Sequence, residues 1–134
     1  MEQPVNPPHP PHGASTEAIA LQAAGVEESQ RFVAVTALGM CRVIALGAMS
    51  PAYACSRLLG PALLSRLEAM EVHPELRRAI HLATELEDVA HLAPEALANS
   101  LAEIEDTLLK VLADLPPPRS HDEKWLVMAR HQDG

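Results

Sequence analysis

Residues 74–91 read PELRRAIHLATELEDVAH, and the spacing of their apolar side chains decides the fold class. Leu76, Ala79, Ile80, Leu82, Ala83, Leu86, Val89 and Ala90 recur at intervals of three and four. On a 3.6-residue helix that places them on one broad face. Arg77, His81, Thr84, Glu85, Asp88 and His91 fall on the other face. Pro74 stands where the first helical turn tolerates a missing N–H, and Glu75 follows it near the positive end of the dipole. The segment therefore predicts one amphipathic helix from about His73 to His91.

The same period continues on both sides. Downstream, Ala93-Pro94 opens a helix that runs to Leu115, with Leu97, Leu101, Ile104, Leu108, Val111, Leu112 and Leu115 in one stripe. Upstream, Ser50-Pro51 and Gly60-Pro61 open two short helices. Before them lies a stretch from about Glu27 to Ala48 that is apolar almost all round, the mark of a central helix. Its charges, Glu27, Glu28, Arg31 and Arg42, share a narrow stripe, so Arg42 reads as a rim or ion-paired residue. Ser15 is read as the cap of a further short helix ending near Gly25. Ser120-His121-Asp122-Glu123 has capping-box spacing, which predicts a last helical turn or two over 124–130. Glu87 sits at the border of the apolar arc and needs a partner there, with Arg42 the candidate.

Composition agrees with these periods. Among 134 residues, 48% are hydrophobic but only Phe32, Tyr53 and Trp125 are aromatic, so the core is aliphatic and rich in alanine, the strongest helix former. The expected architecture is all-α: a compact bundle of about five to six mostly antiparallel helices over residues 15–115. A proline-rich tail over 1–14 is read as disordered, and Pro116-Pro117-Pro118 separates a short C-terminal segment, 116–134.

Several classes of function lose support at this level. The start of the chain carries neither a basic region nor an apolar run of the secretory kind. The most apolar stretch, Phe32 to Met49, has Arg42 near its middle, which is costly in hydrocarbon. No membrane association and a cytoplasmic location are therefore expected. Cys41 and Cys55 are too few for a disulfide framework and lie within or beside apolar segments, where a thiol is held protonated. There is no Gly-x-Ser-x-Gly elbow and no phosphate-cradling glycine loop. The reading leans away from an enzyme, and no cofactor is implied.

Charge is the most uneven property of the chain. The net charge is −8, and residues 67–114 hold eleven acids against Arg77, Arg78 and Lys110. The whole excess sits on this stretch. That sign is wrong for phosphate, so nucleic acid is not expected as a ligand. It suits solubility, which needs no partner, or a basic protein partner drawn in by long-range attraction. Glu85, Asp88, Glu103 and Asp106 are the candidate partner-binding residues. The alternative is a metal-binding or enzymatic bundle. His81, Glu85, Asp88 and His91 have spacings of four, three and three, and imidazole with carboxylate suits zinc, iron or manganese. A di-metal bundle needs a matching unit on a facing helix, and no second copy is present.

The stretch His81-Leu82-Ala83-Thr84-Glu85-Leu86-Glu87-Asp88-Val89, then Pro94-Glu95 and the Leu-rich helix, resembles a family of small uncharacterised bacterial proteins. The likeness extends over about residues 30–127 and includes Asp122-Glu123-Lys124-Trp125-Leu126. Thr84-Glu85-Leu86-Glu87-Asp88 is its most specific part. The resemblance implies a single-domain bacterial protein and no particular activity. Small acidic chains of this type are similar to immunity or antitoxin-like proteins, which block a toxin by binding it. That likeness makes a toxin-like basic partner the leading expectation, with homo-oligomerisation through leftover Ala- and Leu-rich faces as a further one.

Overall fold

The computed structural model describes residues 17–118 and 122–128, so the proline-rich 1–14 lie outside the described residues. The chain falls into two units, a helical one over 24–118 and a smaller one formed by the chain on either side of it.

The helical unit contains α1 (Val26–Ala45), α2 (Pro51–Arg57), α3 (Pro61–Glu68), α4 (Pro74–Ala83), α5 (Leu86–Leu92) and α6 (Leu97–Asp114), with a 3-10 turn at Pro94–Ala96 before α6. Prolines stand at the first turn of α2, α3 and α4, as their N-terminal tolerance requires. Ser50 caps α2 by accepting the Tyr53 N–H at 3.0 Å. α6 packs against α1 and α4, and its stripe is buried where the period places it, at Leu101, Ile104, Leu108 and Val111. Opposite lie Val33, Ala34, Ala37, Cys41 and Ile44 of α1 and Leu76, Ala79, Ile80 and Ala83 of α4. The small side chains among them bring helix axes close, and the core is aliphatic throughout.

α1 stops at Ala45, three residues before the expected end, because of Gly47. The Gly47 N–H bonds Ile44 O at 2.9 Å and the Ala48 N–H bonds Val43 O at 3.0 Å. This is a Schellman end, whose turning residue takes positive φ; Gly47 has φ 79°.

Four further sequence expectations are overturned. Residues 17–25 form no helix: Ala20–Leu21 is a strand, β1, paired antiparallel with β2, Leu126–Val127. The last turn expected over 124–130 is therefore extended where described, as Trp125 O accepts the Gln22 N–H at 2.8 Å. The capping-box residues Ser120 and His121 lie outside the described residues, and Leu126 and Val127 pair with a distant segment, which local pattern cannot reveal. The helix from 74 to 91 is two helices, broken at Thr84-Glu85. Finally, Glu87 is exposed, and Arg42 lies 3.9 Å from Glu105. The break turns Glu87 outward, so the proposed pair with Arg42 does not form.

Two sets of contacts mark the break, one within the turn and one from α2. Thr84 Oγ1 donates to His81 O at 2.6 Å, the Thr84 amide is shared between Ile80 O at 3.0 Å and His81 O at 3.1 Å, and the Glu85 amide bonds Leu82 O at 3.0 Å, so the turn passes from α toward 3-10 geometry at Glu85. Cys55 of α2 donates its thiol to Ala83 O at 3.6 Å, and the Glu87 amide hydrogen-bonds the same sulfur. In an unbroken helix Ala83 O and Glu87 N–H would bond each other. The thiol stands between them, a side chain inserted into the helical ladder.

Candidate interaction surface

Two polar clasps fix the faces of α4 and α6. His73, the residue before Pro74, caps α4: its Nδ1 accepts the Glu75 N–H at 3.1 Å. With Nδ1 accepting, neutral imidazole carries its proton on Nε2, which faces Asp114 Oδ2 of α6 at 3.0 Å. The His73 N–H in turn donates at 2.7 Å to Oε1 of Gln30, a buried polar side chain of α1. One residue thereby joins α1, α4 and the end of α6.

The second clasp centres on Arg78. Its guanidinium reaches Glu75 Oε1 at 3.1 Å, Glu103 Oε2 at 3.1 Å and Thr107 Oγ1 at 3.2 Å. Thr107 is buried and donates to Glu103 O at 2.8 Å. The two carboxylates hold the Arg78 pKa above its ordinary value, chiefly through the hydrogen bond to Glu103 and next through that to Glu75. Neither clasp was singled out from the sequence. Only the Glu75-x-x-Arg78 spacing signals the second, and nothing local signals that Gln30 meets His73.

The four acids expected to bind a partner are all exposed, but they differ in what they touch. Glu103 is held by Arg78, and Glu85 lies 3.7 Å from His81 Nε2. Asp88 and Asp106 have no ion-pair partner among the described residues, and the same holds for the exposed Glu87 and Glu95. Arg77, Arg78 and His81 line a shallow groove of about 380 Å³ between α3 and α4 together with Leu64, Glu68 and Pro74.

Of the metal-type set His81, Glu85, Asp88 and His91, the structure brings together only His81 and Glu85. The break at Thr84-Glu85 puts His81 on α4 and Asp88 and His91 on α5, so the even spacing of a single helix is lost. Among the described residues no three His, Cys, Asp or Glu side chains are grouped to hold a metal ion. Both thiols are free. Burial pushes Cys41 up to about 12, with smaller contributions from Glu105 and Cys55, and burial likewise raises Cys55. Both are protonated and weakly nucleophilic at neutral pH. No described helix is long and apolar enough to cross a membrane.

No curated protein and no solved structure matches the chain. A family model does, over residues 24–127, which takes in all six helices and β2. By that match the chain belongs to the family described as "Protein of unknown function (DUF3969)".

Proposed function

We infer that this chain is a non-enzymatic protein-binding factor that meets a basic partner through the acidic surface of α5 and α6. The supporting observation is the division among its acids. Glu103 and Asp114 of α6 hold Arg78 and the capping His73 of α4, and Glu75 braces Arg78 within α4, whereas Glu87, Asp88, Glu95 and Asp106 are exposed with no ion-pair partner among the described residues. Like charge left unneutralised on adjoining helices raises the local potential and steers an oppositely charged surface. In its most concrete form the factor is immunity- or antitoxin-like and occludes a basic site on a toxin-like partner, by analogy with other small acidic blockers. The metal-binding alternative has less behind it, since only His81 and Glu85 approach each other.

The test uses Glu87→Lys/Asp88→Lys/Asp106→Lys, which spares the Arg78 clasp, beside the wild type. Each is used as bait in native lysate, and the protein retained only by the wild type is purified for stopped-flow association. The variant should associate at least about tenfold more slowly at low salt, and high salt should erase most of the difference. Equal association rates at low salt sink the acidic-surface mechanism.

A further inference from the structure

We propose that the groove between α3 and α4 binds the carboxylate of an acidic peptide, an Asp or Glu side chain flanked by aliphatic residues. Pro74, Arg77 and His81 succeed one another at intervals of three and four, which puts them in one row along α4. Leu64 and Glu68, four residues apart on α3, make the other wall. The space between them is about 380 Å³, within the ~300–1,000 Å³ of ligand clefts.

Charge sets this groove apart from its surroundings. Residues 67–114 hold eleven acids and only three Lys or Arg, and two of those three, Arg77 and Arg78, line it. The Arg78 guanidinium is taken up by Glu75, Glu103 and Thr107. Arg77 is exposed and forms no ion pair among the described residues, not even with Glu68 across the groove. In a stretch so rich in carboxylates, a guanidinium without one is the exception. Its fork of N–H donors matches a carboxylate with two parallel hydrogen bonds. His81, one turn further along, adds a second polar contact. Its Nε2 lies 3.7 Å from Glu85, too far for a hydrogen bond, so the ring is open to a ligand.

The walls select the class of ligand. Leu64 and Pro74 offer apolar surface to the aliphatic neighbours of the carboxylate. Glu68 opposes a second negative charge, so phosphate, largely dianionic at neutral pH, fits less well than one carboxylate. The site does not depend on the acidic surface of α5 and α6, which attracts charge of the opposite sign. A solvent-exposed Arg–carboxylate pair contributes little by itself, so a short peptide binds weakly, with a Kd on the order of 1 mM.

The test titrates the isotopically labelled full chain by NMR at low salt with the blocked tripeptide acetyl-Leu-Glu-Leu-amide. Amide signals of Leu64, Arg77 and His81 should shift together and saturate. Acetyl-Leu-Gln-Leu-amide and inorganic phosphate should each bind at least about fivefold more weakly. Arg77→Gln should weaken the Glu peptide by a similar factor with its helical circular dichroism unchanged, because the side chain is exposed. Lys110→Gln removes one positive charge from an exposed position on α6 and should bind as the wild type does. Absence of saturable shifts at the groove, equal binding of the Gln peptide, or equal loss in Lys110→Gln each overturns the proposal. Phosphate binding as tightly as the Glu peptide overturns it too, since the groove would then take anions without regard to class.

Discussion

Replacing Cys55 by alanine tests whether the thiol inserted between α4 and α5 stabilises the break. The substitution removes a half-buried sulfur and leaves Ala83 O and the Glu87 N–H without their shared partner. Loss of sulfur packing costs about 1 kcal/mol, and two backbone groups left short of a partner add about 1–2 kcal/mol at partial burial. We expect Cys55→Ala to lose roughly 2–3 kcal/mol in urea unfolding, which for a unit this size lowers Tm by about 10 °C or more. Cys55→Ser keeps a donor and an acceptor in place and should lose about half as much. Hydrogen exchange adds a local reading: the Glu87 amide should exchange faster in the alanine variant and remain protected in the serine variant. If alanine matches the wild type within about 0.5 kcal/mol, or serine costs as much as alanine, the thiol does not bridge the break.

Other positions give independent checks. Ile104→Ala should cost about 2–5 kcal/mol in chemical unfolding, because the side chain is wholly buried among α1, α4 and α6. Gly60→Ala should destabilise measurably in the same assay, since its new Cβ would lie 2.7 Å from the main-chain oxygen of Cys55. For Cys41, the folded thiol titrates at about 12 against an ordinary 9.0. The stability this represents is complete below pH 9 and is lost as pH rises from 9 toward 12, so the urea midpoint should fall over that window and fall less in Cys41→Ala. At pH 8 a thiol reagent should label Cys41 only on unfolding.

The helix pattern was legible because burial is periodic. Prolines at 51, 61 and 74 place three helix starts, and the Leu101–Val111 stripe marks the face of α6 that is buried. What misled local reading was everything decided by a distant partner. The arc from Leu76 to Ala90 stays in phase across Thr84-Glu85, so only contact with Cys55, 28 residues earlier, distinguishes one helix from two. Likewise Ala20 and Leu21 look like helix formers, and Leu126 and Val127 follow a plausible cap, until each pair supplies the other's hydrogen bonds. Sequence charge located the acidic stretch but could not divide it, because Glu103 and Asp106 stand three apart on one helix with identical local credentials.

That division changes how the acidic surface is to be argued. Reversing Glu103 would cut the Arg78 clasp and leave Thr107, a buried residue, with a displaced neighbour. Any loss of binding would then mix charge with helix packing. Asp114 carries the same ambiguity through His73, whose ring also caps α4. Asp88 and Asp106 do not, since among the described residues neither forms an ion pair and each is exposed. An exposed charge without a fixed partner contributes little to stability, and its long-range field is the property by which it acts. Binding lost on reversing Asp88 and Asp106, with unfolding unchanged, is therefore assignable to electrostatic steering. The same loss on reversing Glu103 alone is not.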